Sequence, residues 1–239
     1  MQTRVRYRRL VSCLLLALAA LPAAALADAT GEGEPTVSAG DCSVRVSKAI
    51  QVRYDSIRDL QAAFEQSTRS VSLGASPLAS SAPSRGTVVF SKPGKMRWVY
   101  TEPQPSLVVS DGSTLWLYDE LGKEAQRLPV REGYLTGAAL EFLLGDGDLL
   151  AEFEVRAERC DGPRVRLELV PRKESSYEKL SLTAVAKTGD IVETAIVDLF
   201  GNETRIAFSD VRTNQSPPPE LFRFDPPPDV EVVDLVTPR

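Results

Sequence analysis

The strongest constraint on the fold is a series of short segments with strand patterning that runs along the chain after residue 86. Each is rich in β-branched, aromatic and aliphatic side chains, and turn residues such as Asp111-Gly112 and Gly201-Asn202 separate them. About eleven strands are predicted, at residues 87–90, 96–100, 107–109, 115–118, 126–129, 153–160, 164–170, 177–186, 191–199, 203–211 and 230–233. The series predicts a mainly β (α+β) protein with one antiparallel, barrel-like or sandwich-like sheet.

Two regions depart from the two-residue period. Residues 44–67 carry apolar side chains at three- and four-residue spacing, which predicts a long N-terminal amphipathic helix. Residues 136–150 show no alternation and predict two short apolar helical pieces joined by the polar turn 145–148.

The first 27 residues have the three parts of a secretory signal peptide. Four arginines precede the apolar run Leu10 to Leu26, and the small-residue triplet Ala25-Leu26-Ala27 ends the segment. We therefore expect residues 1–27 to be removed on export, with a retained membrane anchor as the alternative. Residues 28–42 are small and acidic and predict a flexible segment, so the single folded domain is expected at 43–239.

Charge and cysteine content narrow the possible partners. Removing the leader, which holds four arginines and no acidic residue, leaves 24 basic and 33 acidic side chains. A chain this acidic repels phosphate backbones, so nucleic acid is not an expected partner. The two remaining cysteines, Cys42 and Cys160, are an even pair in an exported chain, which favours a disulfide. Two unpaired thiols are the alternative.

The chain contains no histidine, which removes most catalytic arrangements. Neither a Ser-His-Asp nor a Cys-His site is possible, and no imidazole can bind a metal. The acidic residues form no recognisable acid/base pair, and the Asp146-Gly147-Asp148 turn lacks the other positions of a calcium loop. The sequence therefore predicts a binding protein rather than an enzyme, without a cofactor or a metal.

The middle strands are apolar on both faces. Met96, Trp98 and Tyr100 share one face of their strand, while Val99 lies on the other. A sheet that is apolar on both faces must have both covered. Either it curls around an ordinary packed core, or it encloses something that is not protein.

The segment 86–119 resembles the LolA family of periplasmic lipoprotein carriers. Its shared features are a Gly-x-x-x-Phe strand, a basic-Pro-Gly-basic turn leading to Arg97-Trp98, then Val-Ser-Asp-Gly and Leu-Trp-x-Tyr. Upstream, Phe64-x-Gln66 also resembles the family, as does the C-terminal run from Phe224 to Val230.

The resemblance implies an unclosed antiparallel barrel of about eleven strands, with an N-terminal helix and a short helical lid over an apolar cavity. It also implies a periplasmic, monomeric protein that takes acylated lipoproteins from an inner-membrane transporter to an outer-membrane acceptor.

The same resemblance implies roles for individual residues. The expected cavity-lining residues are Val89, Met96, Trp98, Leu107, Val109, Leu115 and Leu117. The expected lid residues are Leu140, Phe142, Leu143, Leu149 and Leu150. Lys92 falls where family members have an arginine that bonds the lid shut, so it is expected to help hold the lid. Lysine keeps the charge of arginine but not its planar fork of donors.

Three other functions fit the same fold class. The outer-membrane acceptor LolB should carry a lipidated N-terminal cysteine, and Cys13 is poorly placed for that. A carrier of another lipid, such as a glycolipid or phospholipid, would bind acyl chains in the same way and differ only in the head group. A regulatory binding module similar to MucB and RseB would bind a lipid-like signal and a protein partner.

Overall fold

The computed structural model describes residues 39–71, 82–130 and 147–235, which all belong to one compact unit. Two α-helices and one 3-10 turn occur in this part: α1 Ala39–Asp55, α2 Leu149–Glu152 and the turn Pro219–Phe222. The strands are β1 Asp59–Arg69, β2 Ser84–Ser91, β3 Lys95–Glu102, β4 Ser106–Asp111, β5 Thr114–Asp119, β6 Glu124–Pro129, β7 Phe153–Arg159, β8 Arg164–Pro171, β9 Tyr177–Val185, β10 Ile191–Asp198, β11 Glu203–Thr213 and β12 Glu231–Asp234. None of the helices described here is long and apolar enough to span a lipid bilayer.

All twelve strands form one open sheet in the order β12-β6-β5-β4-β3-β2-β1-β11-β10-β9-β8-β7. Neighbouring strands are antiparallel, except that β12 runs parallel to β6. The predicted fold class is confirmed, and each predicted strand is present within a few residues of its expected bounds. The twelfth strand, β1, was not predicted.

The helix prediction over residues 44–67 is wrong beyond Asp55. Leu60 and Phe64 are four residues apart, a spacing that fits one face of a helix and also one face of a strand. Here Leu60, Ala62 and Phe64 are buried at alternate positions, and β1 pairs with β2 on one side and β11 on the other. Tertiary contacts determine where the helix ends. The Asn214 side chain, which is distant in sequence, accepts a hydrogen bond from the Arg58 N–H at 2.8 Å, just before β1 begins.

Helix α1 packs one stripe against the sheet. Cys42, Val46, Ile50 and Tyr54 recur every four residues and are at most 5% exposed. The helix begins at Ala39, so residues 39–42 of the segment expected to be flexible are helical.

Several contacts attach α1 to the turns at one end of the strands. A disulfide joins Cys42 of α1 to Cys160, directly after β7. Arg53 pairs with Asp190 in the β9–β10 turn at 2.6 Å. Although partial burial raises the Asp190 pKa, hydrogen bonds from Thr188 and Arg53 bring it below its ordinary value. We call this end of the sheet, which also holds the β2–β3 and β4–β5 turns, the helix end, and the opposite end the far end.

The β9–β10 turn also touches the helix backbone directly. Gly189 has a φ of +74°, and a Cβ atom there would lie 2.3 Å from the Ala49 carbonyl oxygen. Glycine is therefore required at this position for two reasons: the positive φ and the close approach of the helix backbone.

Replacing Gly189 with alanine should lower the free energy of unfolding by about 2 kcal/mol or more, because the turn or the helix must move. Gly162 is the matched control, since a Cβ atom there would have its nearest neighbour at 3.7 Å. We expect Gly162→Ala to change stability by no more than about 0.5 kcal/mol. Urea unfolding of both variants measures the difference, and equal effects would contradict this account of the contact.

Candidate functional site

Side-chain direction follows from the strand register. Residues directly opposite each other on paired strands point to the same side of a sheet. The pairs Val88↔Trp98, Trp98↔Val108 and Val108↔Leu117 therefore place one row of side chains on one face of β2 to β5. This face, which also receives α1, is called the inner face.

The inner face is fully packed where α1 covers it. On β8 and β9, the side chains of Val165, Leu167, Leu169, Leu180 and Leu182 are at most 1% exposed. They belong to the same cluster as the apolar stripe of α1. These inner-face positions of β8 and β9 are thus part of an ordinary hydrophobic core.

Beyond α1, the inner face carries apolar side chains that are only half buried. We call this set the apolar band: Trp98, Tyr100, Val108, Leu117, Ile206 and Phe208. The band spans β3 to β5 and β11, with buried Phe64 of β1 between its two parts. Apolar side chains left half covered on one face of a sheet are typical of a binding surface for an apolar ligand.

Edge-to-face aromatic contacts fix the middle of the band. The Phe64 ring lies 4.8 Å from the Trp98 ring and 5.0 Å from the Tyr100 ring, centroid to centroid. Phe90 contacts the other side of Trp98 at 5.6 Å. Such contacts limit rotamer freedom, so the surface is formed before a ligand arrives.

The predicted cavity-lining residues divide between the two faces. Met96, Trp98, Leu115 and Leu117 lie on the inner face, with Met96 and Leu115 buried in the core. Val89, Leu107 and Val109 lie on the opposite, outer face, because each sits one position out of phase with the inner row. These three side chains therefore do not belong to the apolar band, since successive side chains of a strand alternate between faces.

The C-terminal segment explains why the outer face of these strands is also apolar. Phe222 is 2% exposed, and Phe224 packs on Trp116 and Tyr118 with ring centroids 5.5 and 5.2 Å away. The Arg97 guanidinium donates a hydrogen bond to the Leu221 carbonyl at 3.1 Å. Protein therefore covers this part of the outer face.

Sequence reasoning missed several members of the site. Phe64 was missed because the helix prediction assigned this residue to the wrong element. Ile206 and Phe208 were available from the alternation of Thr204, Ile206 and Phe208 in a predicted strand. Their importance depends on β11 lying beside β1, which sequence order does not indicate.

The predicted lid lies partly outside the described residues, which exclude Leu140, Phe142 and Leu143. Leu149 and Leu150 begin helix α2, and Leu149 is 1% exposed.

Gln51 of α1 holds the start of helix α2. Its side chain donates a hydrogen bond to the Gly147 carbonyl at 3.1 Å and accepts one from the Leu149 N–H at 3.2 Å. The two helices are thus joined by hydrogen bonds as well as by apolar packing.

Lys92 lies in the β2–β3 turn and contacts the last turn of α1. Its Nζ donates a hydrogen bond to the Tyr54 carbonyl at 2.6 Å, and its backbone N–H bonds the Arg58 carbonyl at 2.9 Å. A cation at a helix C-terminus also interacts favourably with the helix dipole. Beside this bond is a small cavity of about 10 Å³ lined by residues that include Ile57, Leu60 and Phe90.

No group of three or more cysteine or carboxylate side chains within residues 39–71, 82–130 and 147–235 could hold a metal ion. The candidate site is the apolar band, a surface whose composition suits an apolar ligand.

Comparison with known proteins agrees with this geometry. The family model described as "Outer membrane lipoprotein carrier protein LolA" matches residues 55–225. An outer-membrane lipoprotein carrier protein from Dechloromonas aromatica is 35% identical over 180 residues, which cover 74% of this chain and 81% of that protein. One from Chromobacterium violaceum is 35% identical over 149 residues, or 62% of this chain and 71% of that protein.

Among solved structures, a LolA superfamily protein from Nitrosomonas europaea matches 74% of this chain and 97% of its own. The TM-score is 0.42 at 15% identity, too distant a likeness to bear on function.

Proposed function

The chain belongs to the LolA family of outer-membrane lipoprotein carrier proteins, and on that premise we propose that it carries lipoproteins through the periplasm. The acyl chains of the lipoprotein lie on the apolar band and are shielded there from water. The observation that carries the proposal is the half-buried state of the band, beside a fully packed core on the same sheet face.

The energetics of acyl-chain burial suit this surface. Each buried methylene contributes about 0.8 kcal/mol, so one long chain gains on the order of 10 kcal/mol. A carrier that kept all of this energy would not release its cargo. Binding must therefore compete with another state of the protein, in which part of the apolar surface is already covered.

The lid predicted from the sequence is the proposed cover. Leu149 and Leu150, together with Leu140, Phe142 and Leu143, cover the band in the empty carrier and leave it when cargo binds. The Lys92–Tyr54 bond supports the empty arrangement, because it attaches the end of α1 to the sheet.

Family membership and the leader sequence support the remaining steps of the proposal. The leader, residues 1–27, directs export and is removed. An inner-membrane transporter loads the carrier, and an outer-membrane acceptor receives the lipoprotein. The protein acts by binding and release, without catalysis.

The two tryptophans of the chain provide a direct test of which face binds acyl chains. Trp98 lies on the inner face and Trp116 on the outer face. In a Trp116→Phe variant, where Trp98 is the only tryptophan, adding a soluble acyl ligand should shift the emission to shorter wavelength, because the ligand excludes water from the indole.

The matched control is Trp98→Phe, in which the tryptophan fluorescence comes from Trp116. Its emission should not respond to the same ligand. If Trp116 responds and Trp98 does not, acyl chains bind the outer face and the proposed site is wrong.

Replacing Lys92 with methionine should strengthen cargo binding and slow release. The substitution removes a charged hydrogen bond of the empty state, of the class worth about 1.5–3 kcal/mol, so an increase in affinity of roughly tenfold is expected. Lys95→Met is the control, because Lys95 lies three residues away and its substitution changes the charge by the same amount. The transfer rate of a bound lipoprotein to acceptor vesicles measures the effect. Equal rates for the two variants would remove Lys92 from the release step.

A further inference from the structure

The apolar band ends in polar side chains at the far end of the sheet. Two residues beyond Val108 and Leu117 on the inner face are Ser106 and Asp119. On β6 the same register places Leu128, then Gln126, then Glu124. We call this set the polar margin: Gln66, Tyr100, Ser106, Asp119, Glu124 and Gln126.

The same change occurs across β1. There the inner-face row runs from Phe64 to Gln66 and then to Thr68. The Tyr100 hydroxyl donates a hydrogen bond to Gln66 Oε1 at 3.0 Å. Burial raises the pKa of Tyr100, so this phenol stays protonated and acts as a donor. Acyl chains lying on the band would therefore direct their polar head toward the margin.

The margin includes an open cavity of about 220 Å³ between β4, β5 and β6. Val108 and Leu117 form its apolar side, and Ser106, Asp119 and Glu124 form its polar side. A cavity with both kinds of lining fits the junction between an acyl chain and its head group.

The charge of this cavity is negative. Glu124 is half buried and accepts a hydrogen bond from Gln126 Nε2 at 2.7 Å, which leaves carboxylate lone pairs for a ligand. Asp119 accepts the N–H groups of Leu121 and Gly122. Lys123, the residue before Glu124, lies outside the cavity lining and pairs with Asp229 at 2.5 Å.

These groups suit one class of head group and oppose another. Carboxylate, hydroxyl and amide oxygens accept hydrogen bonds from N–H donors, which the acylated cysteine and first residues of a lipoprotein present. The phosphate of an anionic phospholipid has no N–H donor and is repelled by Glu124. A carrier that works between phospholipid membranes needs this discrimination, since free phospholipid offers the same acyl chains.

We infer that the polar margin, with Glu124 at its centre, selects the peptide-linked head of a lipoprotein and rejects anionic phospholipid. The inference rests on the proposed function, because it concerns the same site. The discrimination comes from the head group alone, since the apolar band cannot distinguish two ligands with identical acyl chains.

The test compares two ligands with the same acyl chains, a neutral synthetic diacylated cysteinyl peptide and phosphatidylglycerol. Each displaces a fluorescent fatty acid from the mature protein, and the ratio of their dissociation constants is measured. The wild type should prefer the lipopeptide by at least about tenfold. Glu124→Gln keeps an acceptor and removes the charge, so it should bind phosphatidylglycerol roughly tenfold more tightly and the lipopeptide about as before.

Glu120→Gln is the matched control, because Glu120 is exposed in the β5–β6 turn and does not line the cavity. It should keep the wild-type ratio. An unchanged ratio in Glu124→Gln, or the same change in both variants, would overturn the role of the margin while leaving the carrier function intact. If neither ligand displaces the probe from the wild type, the proposed function itself fails, and the selectivity with it.

Discussion

The structure depends on a mismatch between the sheet and the elements available to cover it. Twelve strands about 4.8 Å apart make a sheet on the order of 50 Å wide before it curls. One helix of 17 residues, about 10 Å in diameter, packs in the cluster that includes Leu167 and Leu182 and also reaches Phe90 and Met96. Within the described residues, other apolar side chains of the inner face stay half buried. These half-buried side chains are the apolar band.

The attachments of α1 divide the sheet into two parts with different roles. The disulfide from Cys42, the close contact at Gly189 and the Arg53–Asp190 ion pair hold the helix over the packed half. At the other end of the helix, the Lys92 Nζ donates a hydrogen bond to the Tyr54 carbonyl and so connects the last helical turn to the β2–β3 turn. The polar margin then gives the band a direction, with apolar contacts near the helix end and hydrogen-bonding groups at the far end.

Sequence patterning predicted most of the strands because turn residues and side-chain alternation are local signals. It failed at β1, where Leu60 and Phe64 fit both periods, and only the neighbours β2 and β11 decide between them. It also failed to assign faces for Val89, Leu107 and Val109. Both faces of β3 to β5 are apolar, and alternation alone cannot indicate which face meets the helix and which meets the C-terminal segment. Of the expected lining residues, Trp98 and Leu117 fall on the band because they share the phase of the inner row.

By itself, the sequence determined the series of short strands, the apolar content of both faces of its middle strands, the absence of histidine chemistry and the likeness to lipoprotein carriers. These properties depend on residue identity and on spacings of a few positions. Tertiary structure alone decided that β11 lies beside β1, which brings Ile206 and Phe208 to Phe64. It also decided that the C-terminal segment covers the outer face, and that Glu124 comes to the polar end of the band. These are contacts between residues far apart in the chain, and they are set by how the whole sheet pairs and curls rather than by any local pattern.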